Sequence, residues 1–142
     1  MASSSSSPSS PGLASSSCKA CNASSEPVAS TSYASLLAQL GNTPDLSAEP
    51  WQIGSFEPFS PPGVDVLRRA FRFRNFKTAQ AFAQRVGNEV AEVEKHHPAL
   101  ITEWGKVTVL WWTHAINGLH ENDFICAAKT DEIASSAQGL KK

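Results

Sequence analysis

A change of period limits the folds open to this chain more than anything else in it. In "VLRRAFRFR", residues 66–74, Leu67, Arg69, Phe71 and Phe73 fall at every second position on a mostly apolar face, the pattern of a strand whose side chains alternate. From Asn75 onward the spacing becomes three and four. Phe76, Ala79, Phe82, Ala83, Val86, Val90 and Val93 then lie along one side of a helix about five turns long. Asn75 suits an N-cap, and Pro98 ends the pattern, so the helix stops within "EVEKHHP".

The remaining segments fit around this strand and helix. "YASLLAQL", Tyr33 to Leu40, is a short amphipathic helix with Gly41 in the C′ position. "WQIGSF" alternates well enough for an edge strand, "EPFSPPGV" is a Pro-rich turn, and the edge strand should pair with the strand that follows as a hairpin. "ALITEW" and "KVTVLWWTH" read as two strands joined tightly around Gly105. Val107, Val109 and Trp111 share one face, and Thr108, Leu110, Trp112 and His114 the other. A last helix runs from about Glu121 through Ala134, with Phe124, Ala127, Ala128 and Ile133 inward. The order helix, strand, strand, helix, strand, strand, helix, without a long crossover between paired strands, predicts an α+β fold. Its four strands form an antiparallel sheet with about three helices packed on one face. The other sheet face carries tryptophan and is expected to need cover.

Composition divides the chain. The apolar 41% of its 142 residues is concentrated from Gly63 onward, whereas serine and proline crowd the first 62 positions. "MASSSSSPSSPGLASSS" is nearly chargeless and poor in large apolar side chains, so residues 1–30 read as a disordered leader. Residues 31–136 read as one domain and 137–142 as a flexible tail. The leader has no apolar core of a secretory signal. It is Ser-rich and acid-free like a transit segment but lacks Arg, so the expected compartment is the cytoplasm, with chloroplast or mitochondrion as the alternative if the leader is a transit segment. No apolar run approaches the roughly 18 residues of a membrane span, which predicts a soluble protein without a membrane partner.

A net charge of -1 and a pI near 6.4 argue against direct nucleic-acid binding, which needs surplus cations on one face. "RRAFRFRNFK" is the local exception, readable as an anion-holding patch or, more simply, as a solvated strand face. Three cysteines, Cys18, Cys21 and Cys126, make no disulfide framework.

Three of the four histidines, His96, His97 and His114, fall at a helix end and a strand end, where a rigid scaffold can bring side chains together. Singly, each reads as structural or exposed; convergence would make them a site. Zinc fits poorly, because adjacent residues in extended chain point in opposite directions, no HExxH spacing is present, and "CKAC" supplies half a site at best. There is no Gly-flanked serine elbow and no Gly-rich phosphate loop, and Cys126 lies on an apolar helical face where a thiol is usually inert. Acid and base work remains. Imidazoles can remove one proton and deliver another near neutrality, which suits an elimination or tautomerisation.

Glu92, three residues, "HHP", five residues, Trp104, nine residues, His114, and then "GLHEND" together resemble the signature of the pterin-4a-carbinolamine dehydratases. "FRFRNFKTAQAFAQRV" is similar to that family's strand and helix entry, and "CKACN" resembles an N-terminal feature of some members. The resemblance covers roughly Trp51 to Ile133. It implies a four-stranded antiparallel sheet with helices on one side, and homo-oligomers, as dimer or tetramer. It implies loss of water from a 4a-hydroxytetrahydropterin to give the quinonoid dihydropterin, in tetrahydrobiopterin regeneration, with no metal and no cofactor. Carried over by position, His96, His97 and His114 would be catalytic, with His97 and His114 flanking the 4a-hydroxyl and His96 near N5. Asp123, Trp104, Thr113 and Glu92 would bind substrate or support the histidines.

The chain departs from the family at Lys95, where many members carry an acid, and at Leu100, where some carry Trp. His120 falls at a variable position and reads as a surface residue. The alternative implied by the same superfamily is a binding or assembly protein, of the transcription-factor dimerisation or Rubisco assembly type. Retention of all three histidines and Asp123 favours an enzyme.

Overall fold

The computed structural model describes residues 13–19, 25–40 and 49–141. Helix α1 (Tyr33–Leu40) precedes strands β1 (Gln52–Gly54) and β2 (Val66–Arg72), then helix α2 (Phe76–Val86) and a short helical turn α3 (Glu92–Glu94). Strands β3 (Ala99–Glu103) and β4 (Lys106–Trp111) and helix α4 (Glu121–Ser135) complete the chain. The four strands form one antiparallel sheet in the order β1-β2-β4-β3, so the expected α+β architecture is the observed one. Both expected hairpins form, with Gln52 opposite Arg68 in the first and Glu103 opposite Lys106 in the second. Gly41 lies outside the described residues.

Register decides what the sheet buries. Pairing Leu67 with Trp111, Arg69 with Val109 and Phe71 with Val107 puts all six on one face, where each is buried. Against that face α2 brings Ala79, Phe82 and Val86, and α4 brings Phe124, Ala127 and Ile133. Phe82 fills the centre, with its ring 5.0 Å from that of Phe71 and 5.1 Å from that of Phe73. Trp111 is fastened from above, its indole N–H donating to Thr130 Oγ1 of α4 at 3.1 Å. Trp112, just past the end of β4, is already buried within the single chain at 6% exposure, so the tryptophan expected to need an outside cover does not.

The long helix starts as expected, with Asn75 accepting from the Thr78 backbone N–H at 2.9 Å. It is not uniform. Between α2 and α3 the residues Gly87–Ala91 form a π turn, in which the wider spacing adds about one residue and rotates everything downstream by roughly 100°. Val86 and Val90 still point inward, but Val93, expected on the same side, is 65% exposed. Phe76, in the first turn, is also exposed.

The described parts of the two terminal regions are better placed than their composition suggests. Leu13, Cys18 and Val28 pack against the core, Lys129 Nζ donates to the Ala14 carbonyl at 2.7 Å, and Val28 N–H donates to the Leu119 carbonyl at 2.8 Å. The supposedly disordered leader therefore has described parts with fixed contacts, because its few apolar side chains find the edge of the core. At the other end Leu140 bridges Phe73, and Lys141 N–H donates to the Arg72 carbonyl at 2.9 Å. The described part of the tail, expected to be free, is tied to the chain just past β2 by an isolated bridge. Among the described residues no helix is long and apolar enough to cross a membrane.

The basic stretch divides three ways. Arg68 lies over the Phe56 ring at 4.2 Å, Arg72 and Arg74 are exposed, and Arg69 is buried, pairing with Asp131 of α4 at 3.0 Å. Asp131 also accepts from the Trp51 indole N–H, and its carboxyl is pushed up to about 6 by burial, against the opposing pull of Arg69.

Candidate active site

The site begins where α3 ends. Lys95 takes a left-handed conformation (φ 55°), the usual way to stop a helix, and the chain turns into β3 through His96, His97 and Pro98. This turn sends the neighbouring imidazoles to different places. His96 is buried and stacks on Trp111 with the rings 7° from parallel and 5.9 Å between centroids, whereas His97 stays exposed. The two imidazoles thus have different surroundings, one in the core and one in solvent.

His96 is held by Asp123, whose Oδ1 lies 2.6 Å from His96 Nε2. Asp123 is fully buried, and its Oδ2 accepts from the Thr113 hydroxyl at 2.8 Å and from the His120 backbone N–H at 2.9 Å. A carboxylate can only accept, so Nε2 of His96 carries the hydrogen and Nδ1 is left as the basic nitrogen. The same carboxylate completes the start of α4. His120 is the N-cap, its Nδ1 accepting from Asn122 N–H at 3.1 Å while Asp123 returns the bond to the His120 backbone. His120, read from sequence as a surface residue, is thus a half-buried capping group.

His97 pairs with Glu92 at 2.9 Å, both side chains being more than half exposed. His114 opens a short 3-10 turn, closed by Thr113 and Gly118 bonding across it, and stacks on Trp112 at 4.4 Å. A cleft of about 310 Å³ is lined by His96, His97, His114, Thr113, Lys95 and Lys19. Its size falls at the small end of the ~300–1,000 Å³ typical of small-molecule sites. The three histidines named from sequence are therefore brought to one opening.

Of the supporting residues, Asp123 and Thr113 brace His96, and Glu92 braces His97. Trp104 is elsewhere. It sits in the β3–β4 hairpin, 68% exposed, at the opposite end of β3 from the histidines, and lines a separate depression with Arg72 and Lys106. Because β3 is extended, a residue that follows closely in sequence is carried the full length of the strand away. Sequence reasoning missed Lys19, which reaches the cleft from the leader, and Asn122, which holds it there. Lys19 N–H donates to Asn122 Oδ1 at 3.0 Å, and Asn122 Nδ2 donates back to the Lys19 carbonyl at 2.6 Å. The signal was present in "CKAC", but nothing in that motif says where it docks.

The family model for pterin 4 alpha carbinolamine dehydratase matches residues 31–133, most of the chain. The chain belongs to this family. A crystal structure of a transcriptional coactivator/pterin dehydratase from Brucella melitensis is similar to it, with a TM-score of 0.59 and 26% identity, covering 76% of this chain and 98% of that one. Membership agrees with the sheet and helix arrangement described above, and the matched span contains every histidine of the cleft.

Proposed function

We propose that the cleft dehydrates a 4a-hydroxytetrahydropterin. The 4a-hydroxyl leaves as water after protonation, the N5 proton is removed, and the double bond that forms gives the quinonoid dihydropterin. The observation that carries this reading is the His96–Asp123 pair at a cleft that His97 and His114 also line. His96, oriented and buried against Trp111, is suited to take the N5 proton. His97 and His114, both exposed at the rim, are suited to flank the departing hydroxyl. Lys95 and Lys19 make the wall cationic, which favours an electron-rich ring. The elimination needs no covalent intermediate, so positioned imidazoles supply what general acid–base catalysis typically gives, roughly 10² to 10⁴-fold.

The test is a stopped-flow measurement of quinonoid dihydropterin formation from freshly generated 4a-hydroxytetrahydropterin. Wild-type protein is expected to accelerate it, and His97→Ala or His114→Ala to lower turnover by about 10²-fold or more with an unchanged thermal melt. An uncatalysed rate in the presence of wild-type protein would overturn the reading.

A second reading, a binding protein, is supported by the coactivator half of the Brucella protein's name. It is favoured if a chain lacking His97 and His114 replaces the wild type fully in the source cell. Family membership also supports a homo-oligomer, dimer or tetramer, which light scattering on purified protein measures.

A further inference from the structure

The cysteine motif left over from the sequence acquires a partner in the fold. Cys18 Sγ lies 3.4 Å from Cys126 Sγ of α4, although 108 residues separate them in the chain. The contact is built from several directions. Cys18 N–H donates to Glu94 Oε1 at 2.8 Å, Lys19 exchanges two bonds with the Asn122 side chain, and Lys129 holds the Ala14 carbonyl. Residues 13–19 thus form a strap that crosses from α4 toward the end of α3 and ends at the wall of the histidine cleft, where Lys19 lines it.

We propose that Cys18 and Cys126 are a redox modification site: an exchangeable disulfide that staples the strap to α4 and makes the Lys19 wall of the cleft a fixed part of the domain. The two sulfurs need to approach by roughly 1.4 Å more to reach the ~2.04 Å of a bond. Only one of them has to move, because Cys126 is anchored in a helix and Cys18 sits in a segment outside any helix or strand. The oxidant is a small disulfide, R–S–S–R, of the glutathione type.

Cys18 is half-buried and the reachable thiol, so its thiolate attacks first. That attack forms Cys18–S–S–R and releases one RS⁻. The sulfur of Cys126 then attacks Cys18 Sγ, a new S–S bond forms as the mixed disulfide breaks, and the second RS⁻ leaves. The two thiol protons go to the two released thiolates, so two protein thiols are oxidised and one small disulfide is reduced to two thiols. Cys126 suits the second role. It is fully buried, out of reach of solvent oxidants, with Cys18 Sγ 3.4 Å away, and its contact with Cys18 and its burial push its thiol up, so attack starts at Cys18.

The experiment uses the full chain, equilibrated with excess glutathione disulfide or with reduced dithiothreitol, followed by non-reducing peptide mass mapping and a thermal melt. The expected result is a crosslink joining the Cys18 peptide to the Cys126 peptide. The oxidised protein should melt higher on the order of 10 °C, because the bond closes a long loop. Cys18→Ser and Cys126→Ala should each abolish both effects, and Cys21→Ser should leave both in place. Cys18→Ser is the control for folding, since Cys126 is in the core and its variant can fail to fold for packing reasons alone. A crosslink between Cys18 and Cys21, glutathione adducts without a crosslink, or a crosslink without a rise in melting temperature would each overturn the proposal. None of these readouts depends on pterin turnover.

Discussion

At the level of single residues, Asp123 has the most to do. It fixes the tautomer of His96, receives the Thr113 hydroxyl, and closes the capping box of α4. Asp123→Asn keeps the shape but offers an amide that can donate where only acceptance is wanted. The expected outcome is a loss of about 10²-fold or more in kcat with a smaller change in KM, measured in the dehydration assay, because His96 is then free to present the wrong nitrogen. The histidines were legible in sequence because the chain has only four and three of them fall within nineteen residues. The Arg69–Asp131 pair was not legible. Its members are 62 residues apart, and nothing local marks a charge that only becomes buried when α4 lies across β2.

Among the elements, the change of period at Asn75 was sufficient to place β2 and α2, and the matching alternation in "KVTVLW" to place β4 beside it. The π turn was invisible, because one extra residue in a turn shifts the phase without any distinctive residue type, and Val93 was misplaced as a result. The strand end after β2 depends on a glycine. Gly139 has φ +78°, and a Cβ there would run into the side chain of Thr78, which is itself bonded to the N-cap Asn75. Gly139→Ala therefore strains the tail and disturbs the start of α2 together. The expected destabilisation is about 1–3 kcal/mol by urea denaturation, with the helix signal and the global transition moving as one.

For the whole molecule, stability should carry the mark of one buried carboxyl. Asp131 has a folded-state pKa of about 6, above its unbonded value of 3.8, so the folded chain holds a proton that the unfolded chain releases. Its contribution is fully present below pH 3.8 and is lost as pH rises through about 6. Relative to Asp131→Asn, whose amide does not titrate, wild type should lose melting temperature between about pH 4 and 7. Parallel melting curves for the two proteins across that range would contradict it. The leader is the part of the whole least readable from composition. Three apolar side chains scattered through serine do not form a pattern, yet Leu13, Cys18 and Val28 each find a place against the core.

Asp123 ties the cleft to the seating of one element. The carboxylate that orients the buried imidazole is the same one that starts the last helix, and that helix shares with α2 the covering of the sheet. Without α4 in place, His96 lacks the carboxylate that orients it and Lys19 lacks the side chain that holds it at the cleft. The orientation of the buried imidazole is therefore tied to the docking of a single helix, through one carboxylate that belongs to both.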